Sequence, residues 1–117
     1  MDADTLKIQT LGRLKKRSEF LFVRDGRYRA QGGLVIQARP NPSHSEIRVG
    51  FTATKKIGGA VVRNKAKRRL REVARRVLPE FGVIGTDYVF IARQSTCSRT
   101  FSDLVEDGKK ALLTLAR

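Results

Sequence analysis

The chain has 117 residues, 40% hydrophobic and 31% charged, with 25 Lys and Arg against 11 Asp and Glu for a formal net charge of +14. That length supports one domain around one core, and that charge calls for a polyanionic partner, nucleic acid first and an anionic membrane surface second. A lone cysteine, Cys97, and a lone histidine, His44, exclude an internal disulfide and a Cys/His zinc site; no apolar run approaches the ~20 residues of a membrane helix, and Met1-Asp2-Ala3-Asp4 lacks a signal-peptide layout, so a reducing cytoplasm is expected.

Residues 1–12 hold no sustained period and are expected to be a loose lead-in to a single domain over 13–117. Arg13-Leu14-Lys15-Lys16-Arg17 is basic and extended. Ser18 offers an N-cap, Glu19 sits in the positive first turn, and Phe20-Leu21-Phe22-Val23 follows, with Gly26 as the stop of a short helix. Residues 34–38 have strand composition and end at the turn-rich Pro40-Asn41-Pro42-Ser43. Ile47, Val49, Phe51 and Ala53 alternate with Arg48, Gly50, Thr52 and Thr54, which predicts a half-buried strand.

Gly58-Gly59 breaks that strand. Val62, Ala66, Leu70, Val73 and Val77 then recur at steps of three and four, a core-facing helical stripe that runs to Pro79. Residues 88–92 form a near-continuous apolar strand, expected to be central. Thr100 with Asp103 resembles a capping box, and Phe101, Leu104, Val105, Leu112 and Leu115 line a last amphipathic helix. Strand, helix and strand in succession imply parallel pairing around a crossover. The expected class is α+β, a single-domain sandwich with helices on one face of a small mixed sheet.

Between Glu46 and Glu72 there are nine Lys or Arg residues and no carboxylate. Residues 60–78 hold eight basic side chains against one acid, Glu72, so the i,i+4 partners of an ordinary solvated helix are missing. Asn64, Arg68, Arg71 and Arg75 form one row, and Lys65, Arg69 and Arg76 another. Such like-charge rows need a polyanion to offset their repulsion. Asn64 is a poor helix former, placed where its amide can reach a base edge, ribose or phosphate, or bond locally to backbone. Gly58-Gly59 fits neither a Walker loop nor a dinucleotide fingerprint; a plain strand-to-helix turn and a helix-start phosphate contact both remain open.

Protein-based catalysis has little support. His44 and Cys97 are far apart in sequence, the first expected in a solvated turn and the second as a small filler near a strand end. Asp103, Glu106 and Asp107 share a helix face and could hold a divalent ion. Acids placed early in a helix, with Lys109, Lys110 and Arg117 later, also complement its dipole, and this is the better account.

The block from Lys55-Lys56-Ile57-Gly58-Gly59-Ala60 through Arg63-Asn64-Lys65-Ala66-Lys67-Arg68-Arg69-Leu70-Arg71-Glu72 closely resembles the signature of the bacterial ribonuclease P protein subunit. Upstream Arg13-Leu14-Lys15-Lys16-Arg17-Ser18-Glu19-Phe20, the segment Arg48-Val49-Gly50-Phe51, and Asp87-Tyr88-Val89-Phe90-Ile91-Ala92-Arg93 fall in the family's order, over about residues 13–116. The resemblance implies three helices on a small mixed sheet in the order helix, strands, helix, strand, helix. It also implies a left-handed βαβ crossover, as in the second domain of ribosomal protein S5, a hand opposite to the general rule.

Members of that family bind a large catalytic RNA, which carries out Mg2+-dependent hydrolysis of precursor tRNA to remove its 5′ leader. The resemblance therefore implies a subunit of an endoribonuclease whose chemistry lies in the RNA. It implies no tightly held metal, no membrane and no obligate protein partner. Arg63, Asn64, Lys65, Lys67, Arg68 and Arg71 would dock on the catalytic RNA. Arg13, Lys15, Phe20, Phe51, Lys55 and Lys56 would hold the single-stranded leader, with Phe20 and Phe51 in a cleft between the first helix and the sheet. The chain departs from the family at Lys65 (usually Arg), Gly59 (usually Asn), Arg24 (a second cleft aromatic) and Gln37 (a strand tyrosine), which leaves fewer stacking planes for the leader. A ribosomal or other structural RNA-binding protein is the second reading; a membrane-surface or DNA-compacting protein, which would not need these core periodicities, is the third.

Overall fold

The computed structural model describes residues 11–117. They form β1 (Leu11–Arg13), α1 (Arg17–Arg24), β2 (Arg27–Gln31), β3 (Leu34–Pro40), β4 (Ile47–Thr52), α2 (Ala60–Phe81), β5 (Thr86–Ala92) and α3 (Phe101–Leu115), with short 3-10 turns at Lys55–Ile57 and Gln94–Thr96. The five strands make one mixed sheet in the order β1-β4-β5-β3-β2. β1, β4 and β5 run parallel, β3 is antiparallel to both β5 and β2, and α2 is the crossover between β4 and β5.

The strand period of two sorts the sheet into two faces. Leu34, Ile36 and Ala38, Ile47 and Val49, and Tyr88, Phe90 and Ala92 point to one side and pack under α2 and α3. On the other side Val89 meets Leu14 and Val23, flanked by Phe20, Phe22 and Ile91, so α1 covers this face. The helices therefore divide two and one across the sheet, not all on one face as expected. The reason is visible in β5, which is buried at every position but Ile91. A central strand covered from both sides loses its polar alternation and becomes uniformly apolar.

Of the expected lead-in at 1–12, the structure describes only the end. Residues 1–10 lie outside the described residues, while Leu11 and Gly12 already belong to β1, paired with Ile47 and Arg48. β2 carries almost no apolar signal because it is an edge strand, exposed along most of its length. Its cue was the Gly32-Gly33 pair between Gln31 and Leu34, a two-residue hairpin. Gly32 has φ +52°, and a Cβ there would collide with the Asp107 carboxylate.

Three helix ends differ from expectation. α1 begins at Arg17 with Lys16 as N-cap, because Glu19 Oε1 accepts from the Lys15 and Lys16 amides at 2.7 and 2.8 Å. The Glu19 carboxylate thus does the work expected of the Ser18 hydroxyl. α2 continues past Pro79 to Phe81; the missing N–H costs one bond in the last turn, where the ring is buried. At α3 the Thr100 hydroxyl accepts from the Asp103 amide at 3.3 Å, giving a simple cap.

Candidate nucleic-acid interface

α2 is anchored by Ala66, Leu70, Val73, Ala74, Val77 and Leu78, all buried. Val62, expected to open this stripe, is instead 39% exposed. Gly58 turns the chain into the helix at φ +146°, where a Cβ would press on Val62. On the outer face Asn64, Lys65 and Arg68 are exposed, with Arg63 and Lys67 half-buried. The Asn64 amide has no protein partner among the described residues, so no local backbone bond occupies it. The Arg63 Nε is shielded from water without a hydrogen-bond partner, a donor left unmet beside the free cations.

The remaining cations of α2 also make contacts within the protein. Arg69 donates to the carbonyls of Cys97 and Arg99, clamping the segment before α3. Arg76 lies 5.2 Å from the Phe101 ring centroid, and Arg75 reaches Glu72 at 2.6 Å. Arg71 lies 5.4 Å from the Phe51 ring, so it borders the sheet as well as the outer face. Charge counting alone could not separate these roles.

The α1 face is built around Phe20, which packs directly on Gly50; a Cβ at Gly50 would come within 2.6 Å of its ring. Val23 is fully buried beneath, and Arg39 donates to the Phe22 carbonyl while stacking on the Phe22 ring at 4.1 Å. The start of α1 is tied to the sheet through Arg48, which donates to Glu19 at 3.0 Å and to buried Asp87 at 3.0 Å. Asp87 also meets His44 at 2.7 Å and accepts from Asn41 at 3.0 Å. His44 is therefore a part-buried partner of a buried carboxylate and not a solvated turn residue. The Lys15 and Lys16 amides on Glu19 hold its carboxyl below its ordinary pKa.

Phe20 and Phe51, expected together in one cleft, lie on opposite faces of the sheet. Arg13 and Phe51 align with the α2 side of the sheet: Phe51 packs against Phe90, 6.0 Å between ring centroids, under Arg71, and Arg13 pairs in register with Val49. Parity explains this, since Phe51 lies one residue from Gly50 and must point the other way. Phe20 and exposed Lys15 belong to the α1 side, while Lys55 and Lys56 are exposed in the turn from β4 into α2. One aromatic was missed. Tyr28 is 72% exposed on β2, in a cross-sheet row Tyr28–Gln37–Val89–Gly50 that ends beneath Phe20. Three strand spacings put it about 14 Å from Gly50, on the same face as Phe20. Its signal was an aromatic between Arg27 and Arg29, opposite Gln37.

The sequence model of the family described as Ribonuclease P matches residues 8–116. The chain belongs to the ribonuclease P protein family. It is 50% identical over 113 residues to the ribonuclease P protein component of Caulobacter vibrioides, covering 96% of this chain and 74% of that one. The component of Ruegeria pomeroyi is also 50% identical, over 87% of this chain and 84% of its own. Among solved structures, the RNase P protein of Staphylococcus aureus superposes with a TM-score of 0.72 at 29% identity, covering 90% and 94% of the two chains. That of Thermotoga maritima gives 0.69 at 30%, covering 88% and 94%.

The four positions at which the resemblance marks a departure lie at or near the surface. Gly59 is the α2 N-cap and offers no side-chain hydrogen bond. Lys65 and Arg24 are exposed, and Gln37 is half-buried beside Tyr28. The acidic trio of α3 does not act as a unit. Asp107 is buried, accepting from Arg99 and from the Gly33 amide at 2.9 Å, whereas Asp103 and Glu106 are exposed. Burial pushes the Asp107 pKa up, but the Arg99 bond and the Gly33 amide together hold it below its ordinary value. Cys97 is half-buried against the main core, just past the turn that follows β5. Among the described residues no helix is long and apolar enough to cross a membrane.

Proposed function

We propose that this chain serves ribonuclease P by docking α2 on the enzyme's catalytic RNA and presenting its α1 face to the 5′ leader of precursor tRNA, in the cytoplasm. The observation that carries this is the division of labour on α2. Arg69 bonds two backbone carbonyls and Arg76 lies over the Phe101 ring, whereas Asn64, Lys65 and Arg68 are exposed with no carboxylate paired to them among the described residues. Cations left in this way gain most from phosphates. The contacts to a folded RNA would be made chiefly with its backbone and shape.

On the opposite side Phe20, Tyr28, Gln37 and Lys15 offer a sequence-tolerant surface for a single strand, where rings stack on any base and cations track the backbone. Lys55 and Lys56 join the two regions along the chain. Cleavage is assigned to the RNA. Among the described residues no three His, Cys, Asp or Glu side chains come together in a group fit to hold a metal ion. The Mg2+ of the reaction is assigned to the RNA because the resemblance to the family implies it, and the protein contributes binding and orientation.

Reconstitution tests the reading. Purified protein added to the catalytic RNA at limiting Mg2+ should raise cleavage of precursor tRNA at the mature 5′ end, and an equal length of ribosomal RNA should not compete. Tight binding to ribosomal RNA with no effect on cleavage would favour a structural RNA-binding protein instead.

A further inference from the structure

Arg13 and Phe51, absent from the α1 face, line a cavity of about 460 Å3 between β1, β4 and α2. Leu11, Val49 and Phe51 give it an apolar floor, and Arg13, Arg71 and Arg75 bring three guanidinium groups to its walls. Among the described residues no carboxylate lines it, although Glu72 pairs with Arg75 at 2.6 Å and a Glu46 oxygen lies 3.1 Å from where a Cβ on the lining residue Gly12 would sit. We propose that this cavity takes one unpaired nucleotide of the RNA that lies along α2. Its base would stack against Phe51 and the Arg71 plane, and its phosphate would sit between Arg13 and Arg75. The proposal rests on the docking role of α2 given above.

Three features support this occupant. The row Asn64, Arg68, Arg71, Arg75 runs at steps of three and four from the exposed start of α2 to the cavity wall, so a strand bound along it passes the opening. Arg71 lies 5.4 Å from the Phe51 centroid, which puts a ring and a planar cation together, the two surfaces on which bases stack. The volume falls within the range of small-ligand sites. An apolar peptide would have no use for three guanidinium groups, and a lone phosphate none for the aromatic floor.

The test uses the whole protein. A nucleoside 5′-monophosphate is titrated while the Phe51 ring resonances are followed, and the affinity of Arg13→Ala and Phe51→Leu for the catalytic RNA is measured beside thermal melts. Phe51→Leu keeps the hydrocarbon against Phe90 and removes the ring plane. The expected result is a saturable shift of the Phe51 signals and a loss of RNA affinity of about fivefold or more for each variant, within the range of one base–aromatic stack. The double variant should lose less than the product of the two. If Phe51→Leu also lowers the melting temperature, Arg13→Ala, whose side chain is exposed, decides. Unchanged RNA affinity in both variants, while Lys65→Ala and Arg68→Ala weaken it, overturns the cavity assignment and leaves α2 docking intact. Unchanged affinity in all four removes α2 docking as well. A loss seen only with leader-bearing tRNA makes the leader the occupant and also overturns the proposal.

Discussion

Arg48 on β4 and Asp87 on β5 face each other in register across parallel strands, and the Arg48 Nε donates to the Asp87 carboxylate over 3.0 Å. The same guanidinium reaches Glu19, whose other oxygen caps the start of α1. One cation therefore neutralises a carboxylate that is 1% exposed and fixes the helix that carries Phe20. Arg48→Met should cost about 3 kcal/mol or more in urea unfolding, because Asp87 would stay buried with only His44 and Asn41. Arg48→Lys should recover part of that loss at most, since an ammonium cannot span both carboxylates in a fork.

Gly50 is the seat of the Phe20 ring. Gly50→Ala places a methyl 2.6 Å from that ring, so the ring must move or the helix lift. The expected cost is about 1–3 kcal/mol in folding stability, read by thermal or urea melts. Binding of leader-bearing tRNA should weaken at the same time.

Tyr28 separates stacking from folding more cleanly. It is 72% exposed, so Tyr28→Ala should leave the melting temperature nearly unchanged. Affinity for leader-bearing precursor tRNA should fall by about 1 kcal/mol or more, with mature tRNA unaffected. Phe20→Ala should lower both leader affinity and stability, because the ring is half-buried against Gly50 and Leu14.

Arg68 and Arg69 are neighbours with opposite expectations. Arg68→Ala should lower the slope of log affinity for RNA against log salt by about 0.7–0.9, with little change in stability. Arg69→Ala removes the donor to the Cys97 and Arg99 carbonyls and should appear first as a lowered melting point. Salt titration beside thermal melts distinguishes them.

Asp107 links stability to pH. Its folded pKa is below the ordinary carboxylate value through Arg99 and the Gly33 amide, and Lys110 on its own helix acts in the same direction. A depressed carboxylate contributes its full stability above the unfolded pKa, about 3.9, and loses it as pH falls through that value to the lower folded one. Asp107→Asn should flatten the acid limb of the stability curve below about pH 4.5 and leave its shape near neutrality unchanged.

Much of this fold was legible from apolar spacing. The α2 stripe, the central β5 strand and the α3 amphipathic pattern all report burial directly, and burial sets side-chain identity there. What escaped had another cause. β2 is an edge strand whose side chains face water, so composition leaves little trace of it. The division of helices between two faces depends on α1, whose Phe20, Phe22 and Val23 fit either side of a sheet. On α2, sequence marks eight cations but cannot say that Arg69 reaches the Cys97 and Arg99 carbonyls or that Arg76 lies over Phe101, because these partners lie 25 or more residues away. Phe51 followed the parity of its strand while the functional expectation for it came from a resemblance, and parity placed it on the other face.

On the proposed division of surfaces, one face holds the catalytic RNA while the other holds the leader. The most direct measurement is the affinity of the assembled holoenzyme for tRNA with and without a 5′ leader, using wild-type protein, an α2 variant (Lys65→Ala with Arg68→Ala) and an α1-face variant (Tyr28→Ala). The α2 variant should weaken assembly with the catalytic RNA and, once assembly is saturated, keep the preference for leader-bearing tRNA. The α1-face variant should assemble normally and lose at least fivefold of that preference, the lower worth of one stacked base. A leader preference unchanged by Tyr28→Ala, together with assembly unchanged by the α2 pair, would contradict the account.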